Sequence, residues 1–181
     1  MNKIIDWILK LGKIDRRYIF VIIALSVLIP LLKPLGLPVR PTPTTQASFD
    51  AVEKLPQGSK VLVSMEYGPS TKPEIHPMSI AIIKHLYAKN IKVYGFALWP
   101  DGNFMSTEAF SEVSDDYEKK YGVDYVNLGF KPGAEAVIKG IASDIRALYT
   151  ADLNGTPIND IPMMKDVVNI EDFYFVFSLS A

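Results

Sequence analysis

Cysteine is absent from all 181 residues. Its absence excludes disulfides, a thiol nucleophile and thiolate metal ligands together, so any compact part must be held by its own core. Histidine is nearly absent: His76 and His85 stand nine residues apart, not at the i,i+4 spacing of a helical zinc pair. With no HExxH present, no metal site is expected. The chain also lacks GxGxxG, a Walker A loop and the G-x-S-x-G elbow. No cofactor is therefore expected, and a hydrolase of the elbow type has no sequence support.

Basic residues are scarce where nucleic acid would need them. Residues 1–40 carry seven Lys or Arg and two Asp or Glu, whereas residues 41–181 carry twelve and eighteen, a net charge of 12 − 18 = −6. An acidic body without a basic stripe excludes a nucleic-acid partner, whose phosphates must be met by clustered cations.

Long uncharged runs are scarce too, with one exception at residues 18–32, directly after Arg16 and Arg17. These fifteen residues would rise about 22 Å as a helix, short of roughly 30 Å of hydrocarbon. Lys33 can extend its ammonium toward the headgroups, and residues 34–39 (PLGLPV) then complete an expected transmembrane anchor at 18–39 that engages the lipid bilayer. Lys3, Lys10, Lys13, Arg16 and Arg17 precede the span and only Lys33 and Arg40 follow closely. The positive-inside rule therefore places the N-terminus in the cytoplasm and the C-terminal part in an extracytoplasmic compartment. A buried core helix is opposed by the adjoining charged block. A cleaved signal peptide is opposed by a seventeen-residue n-region and the poor cleavage site Thr45-Gln46-Ala47. Within the basic leader at 1–17, Ile4, Ile5, Trp7, Ile8, Leu11 and Ile14 recur at roughly helical spacing. That is the pattern of an interfacial helix, with an unstructured leader as the alternative.

Residues 34–48 contain Pro34, Pro38, Pro41 and Pro43 with Thr42, Thr44 and Thr45, and the stretch 40–48 reads as an extended linker. The remainder, 49–181, suffices for one domain. Its apolar period alternates between 2 and 3.6. Strands are expected at 60–67 (KVLVSMEY), 91–99 (IKVYGFALW), 124–129 and 173–179 (FYFVFSL). Helices are expected at 49–55, from Pro77 to about Asn90, from an N-cap at Ser106 to a C-cap at Gly122, and from Pro132. Ala134, Val137, Ile138, Ile141, Ile145 and Leu148 form the stripe of the last. Asp115 with Lys119, Asp116 with Lys120 and Glu135 with Lys139 have the i,i+4 spacing of helical ion pairs. Residues 150–169 read as a long irregular connection.

Strands alternating with single helices predict an α/β fold: a parallel sheet sandwiched by right-handed crossovers, Rossmann-like or flavodoxin-like. No helical pattern follows the last strand, so the sandwich is expected to be incomplete at its C-terminal side or completed by a partner. The segments HPMSIAIIKHLYAKNIKVYGFALWPDG, YGVDYVNLGFKPGAEAVIKGIASDI and GTPINDIPMM together resemble a family of uncharacterised prokaryotic membrane proteins with one N-terminal anchor. The resemblance covers most of residues 15–181 and implies a single-pass protein with an extracytoplasmic α/β domain, in members that continue beyond the position of Ala181. No activity is assigned to that family, so it implies no catalytic residue.

Ligands of open parallel sheets gather at the carboxyl ends of the strands. That edge is expected to hold Glu66, Ser70, Thr71, Lys72 and His76, then Asp101 and Asn103, then Lys131. Glu66 and His76, with Asp101, are the candidates for proton transfer, against a helix-capping role for His76. Ser70 and Thr71 before one helix, and Lys131 before another, are the candidates for holding an anionic group, against ordinary βα connections. Trp99, Phe104 and Phe110 could line a pocket or meet a partner, or could close the core under a loop.

Two functions follow. One is an interaction or scaffolding component of the cell envelope, which needs no missing motif. The other is an envelope enzyme or small-molecule binding protein that uses the strand edge. The sequence leaves open whether the protein is an enzyme.

Overall fold

The computed structural model describes residues 15–33 and 40–181. The chain forms two compact units, divided between Thr42 and Pro43. In the first, helix α1 (Arg16–Leu32) starts where the Asp15 carboxylate accepts the backbone N–H of Arg17 at 3.0 Å. None of its side chains is buried, and Phe20, Leu31 and Leu32 are each about two-thirds or more exposed. Seventeen residues rise about 25 Å, and among the described residues no helix is long and apolar enough to cross a membrane. The expected span draws its missing length from residues 34–39, which lie outside the described residues, as does most of the leader.

The second unit opens with α2 (Pro43–Glu53), not with an extended linker. Proline favours a first helical position, where its missing N–H would be unpaired anyway, so Pro43 begins the helix instead of preventing it. Gln46 donates to Asp50 at 2.8 Å one turn on, Val52 enters the core, and Phe49 stacks on His85 with ring centres 4.5 Å apart. The α/β body thus begins at residue 43, six residues before the expected 49.

Four parallel strands follow: β1 (Lys60–Glu66), β2 (Lys92–Ala97), β3 (Tyr125–Phe130) and β4 (Phe175–Ser180), in the order β3-β2-β1-β4. Lys60 aligns with Lys92 on one side of β1, and Val61 with Phe175 on the other. This order is Rossmann-like and excludes the flavodoxin-like alternative, in which β1 stands between β2 and β3. Helices α3 (Lys72–Ala88) and α4 (Gly102–Ser114) cross on one face, packing Ile83, Leu86, Tyr87, Phe110 and Val113 against Val61, Val63 and Met65, with α2 beside them. Helix α5 (Ala134–Ser143), the short α6 (Ile145–Leu148) and the connection to β4 cover the other, where Val137, Ile141, Ile145 and Tyr149 meet Leu62, Tyr94 and Val126. Each fully buried large apolar side chain contributes about 1.5–3 kcal/mol, and both layers are populated.

Four helix boundaries differ from the pattern-based expectation. Helix α3 begins at Lys72, with Pro73 in its first turn and Pro77 inside it. Helix α4 begins at Gly102, so Ser106 is no N-cap. It is buried within the helix and bonds to the Asn103 carbonyl. The helix is closed by Glu118 at φ +51°, with Lys119 N–H reaching the Ser114 carbonyl at 2.9 Å; Gly122 serves a separate turn into β3. Of the expected i,i+4 pairs only Glu135–Lys139 forms, at 2.7 Å. Once the helix stops at Ser114, Lys119 turns to Asn90 and Asp116 approaches Lys84 instead. The stripe expected from Pro132 breaks at Asp144, whose extended backbone ends α5 and whose carboxylate caps α6 through the N–H groups of Arg146 and Ala147.

Candidate functional site

Because all four strands are parallel, their carboxyl ends share one edge, and the chain reverses its winding between β1 and β4. Open α/β sheets form their ligand crevice at such a switch point. Alternation along β1 decides what each residue can reach. Val61, Val63, Met65 and Tyr67 face α3 and α4, whereas Leu62, Ser64 and Glu66 face α5.

Glu66 is buried at the end of β1. Its carboxylate accepts the Ser64 hydroxyl and is gripped by the Leu98 backbone N–H, at 2.9 Å to Oε1 and 3.0 Å to Oε2. These bonds tie the end of β1 to the exit of β2. No Lys, Arg or His forms an ion pair with it among the described residues. On the same face, the hydroxyl of Tyr149 is buried with no hydrogen-bond partner. Desolvation pushes that phenol far up, and the charge of Glu66 adds to the effect. Lys131 Nζ stands 5.4 Å from the centre of the Tyr149 ring. Next to these groups, between α5 and the β1–β4 half of the sheet, lies an apolar groove of about 290 Å³. Its walls are Leu62, Ser64, Phe96, Leu98, Ile138, Ile141, Ala142, Ile170, Val176 and Ser178.

His76 belongs to the opposite face, so the expected Glu66–His76 proton-transfer pair does not form. It is no helix cap either, for it lies buried in the second turn of α3. Its Nδ1 meets the Tyr67 hydroxyl at 2.8 Å. Its Nε2 stands 3.5 Å from Glu112 of α4, close enough for attraction but without a hydrogen bond. Burial holds the Tyr67 phenol above its ordinary value, outweighing the opposing influence of Ser79. Lys72 joins α3 to Glu108 of α4, and that bond lowers the Glu108 carboxyl. This cluster fastens α3 to α4, with Tyr67 and His76 buried and Lys72, Glu108 and Glu112 reaching the surface.

The remaining candidates scatter. Asp101 is exposed ahead of α4 and makes no capping bond; its carboxylate lies against Gly68, where a Cβ would come within 2.9 Å of Oδ2. Ser70 is exposed, and the Thr71 hydroxyl turns back to the Gly68 carbonyl at 3.4 Å instead of facing a ligand. The Gly68–Thr71 loop is an ordinary βα connection. Phe110 is core, while Trp99 and Phe104 are exposed at 48% and 73% and form no ring pair with each other.

Sequence reasoning missed Tyr149, Ser64 and Leu98. Ser64 carried a signal: a polar residue inside an apolar strand, two positions before Glu66 and hence on its face. Tyr149 and the backbone of Leu98 carried none. A second polar knot was also missed. Asn127 of β3 donates to Ser106 at 2.8 Å and accepts the N–H of Gly129, and Tyr121 donates to Asp152 at 2.8 Å. It anchors the long connection to the β3 edge beside a cavity of about 170 Å³.

The fold and this edge define an α/β domain with a Rossmann-like parallel sheet and a half-covered face. No family model, curated protein or solved structure matches the chain.

Proposed function

We propose that the chain is a membrane-anchored interaction domain of the prokaryotic cell envelope. Residues 18–39 lie in the bilayer, the leader stays cytoplasmic, and the extracytoplasmic α/β body docks a protein partner on the outer edge of β4. The anchor is supported by α1, which begins with Arg16 and Arg17, carries no charge from Tyr18 to Leu32 and has no buried side chain. The single observation that carries the docking is β4. Phe175–Ser180 has no charge and no proline, its outer side pairs with no other strand among the described residues, and Tyr174 and Val176 are 61% and 45% exposed. Edge strands are ordinarily blunted by charge, proline or bulges because their free N–H and C=O groups recruit further strands. An extended partner segment added to β4 would satisfy those groups, as in other strand-addition complexes. The separation of Glu66 from His76 removes the proton-transfer pair that favoured an enzyme.

Protease added to intact spheroplasts should digest the body; protection until lysis would invert the topology. In the membrane-extracted assembly the β4 amides should exchange slowly on both sides of the strand, and Val176→Lys should release the partner. Fast exchange of the outward amides in the native membrane would refute docking at this edge.

A further inference from the structure

Three features converge on the crevice between β1, β4 and α5. Glu66 is buried, yet no cation pairs with it among the described residues, and such a charge is costly unless neutralised or fully hydrogen-bonded. Its fixed donors are one hydroxyl and one shared backbone N–H, whereas a carboxylate offers about four acceptor sites, so Oε2 keeps capacity for another donor. Both donor-bearing residues, Ser64 and Leu98, are also walls of the groove that continues past Leu62, Phe96 and Val176. The buried Tyr149 hydroxyl, close enough to feel the charge of Glu66, is a second polar group without a partner. The groove, of about 290 Å³, is of a size for a small organic molecule. It stands at the lower end of the volumes typical of ligand pockets.

We propose that this crevice binds a small amine, its ammonium donating to Glu66 and its apolar body filling the groove. The uncompensated charge is negative, which selects a cationic head. Eight of the ten lining residues are aliphatic or aromatic, which selects an apolar body. Lys131 stands over the Tyr149 ring and forms no ion pair with Glu66. An anionic ligand, the class suggested by Ser70, Thr71 and Lys131, is disfavoured by the same charge. Val176 borders both the groove and the docking edge of β4, so the two readings are separated by their measurements: methyl shifts of the groove isoleucines report the crevice, and β4 amide exchange reports docking.

Benzylamine, benzyl alcohol and benzoate share one small apolar body and differ in head charge. The full chain in lipid nanodiscs, with methyl-labelled isoleucine, should show saturable shifts of Ile138, Ile141 and Ile170 with benzylamine. Benzyl alcohol should bind at least tenfold more weakly and benzoate not at all. Glu66→Gln should weaken benzylamine about tenfold while leaving benzyl alcohol little changed. Ala142→Trp, a change at an exposed position of the groove wall, should abolish binding and provides a second variant should Glu66→Gln fold poorly. Equal binding of all three probes, benzoate binding as well as benzylamine, shifts that survive Ala142→Trp, or no saturable shift would each overturn the proposal.

Discussion

Removing one hydroxyl from either of two tyrosines on the same face of the sheet should move stability in opposite directions. Tyr94 and Tyr149 are both buried, at 0% and 1% exposure. The Tyr94 hydroxyl donates to the Met163 carbonyl at 2.7 Å and its ring packs edge-on to Phe173, pinning the long connection to β2. Tyr94→Phe keeps the ring but loses that bond and strands a buried carbonyl, at a cost of about 1–3 kcal/mol. The Tyr149 hydroxyl makes no bond, so Tyr149→Phe removes a desolvated polar group and should gain up to about 1–3 kcal/mol. In a body of this size each kcal/mol moves Tm by roughly 3–5 °C. Thermal unfolding of the full chain, followed by circular dichroism in mild detergent and checked by urea midpoints, should therefore separate the two variants by at least about 5 °C. If Tyr149→Phe destabilises as much as Tyr94→Phe, its hydroxyl has a partner in solution. The crevice then loses its second unpaired group.

Gly102→Ala should destabilise by about 1–3 kcal/mol or more, because the added Cβ would strike the Met65 carbonyl and sit 2.6 Å from Ala97 Cβ, contacts that backbone cannot swing away from. The urea midpoint checks it; a neutral result would mean that α4 approaches the sheet less closely. Asp172 accepts the N–H groups of Val168 and Asn169, which hold its carboxyl below its ordinary value, with a smaller contribution from Lys60. A depressed carboxyl contributes stability that is fully present above the ordinary aspartate pKa and lost as pH falls through the folded value. Asp172→Asn should therefore flatten the acid limb of the Tm-against-pH curve below about pH 4 and leave the curve's shape near pH 7 unchanged; an unaltered acid limb would contradict the assignment. Tyr121→Phe removes the donor to buried Asp152, and should raise amide exchange at Leu153 and Thr156 at least tenfold. Unchanged protection there would mean that Asp152 holds the loop through Thr156 alone.

Much of the fold was legible because it rests on local pattern. Each strand lies within two or three residues of its expected place, since β-branched and aromatic residues bounded by Gly and Pro turns mark buried strands whatever surrounds them. Helix starts were less legible. Pro43, Pro73 and Gly102 all sit in first turns, and all resemble loop residues when only their neighbours in sequence are known.

What the sequence by itself determined is the set of parallel βα units and the presence of a carboxylate at the end of β1, because chain order and side-chain period are local properties. The face that each group occupies was decided by tertiary structure alone. Period 2 separates Glu66 from Tyr67, but only the side on which α3 crosses commits His76 to Tyr67 and away from Glu66. The crevice arises the same way. Tyr149, Leu98 and Val176 are distant in sequence and converge only because β4 returns beside β1 while α5 covers the other half of the sheet, leaving a charge and a hydroxyl buried beside an unfilled groove.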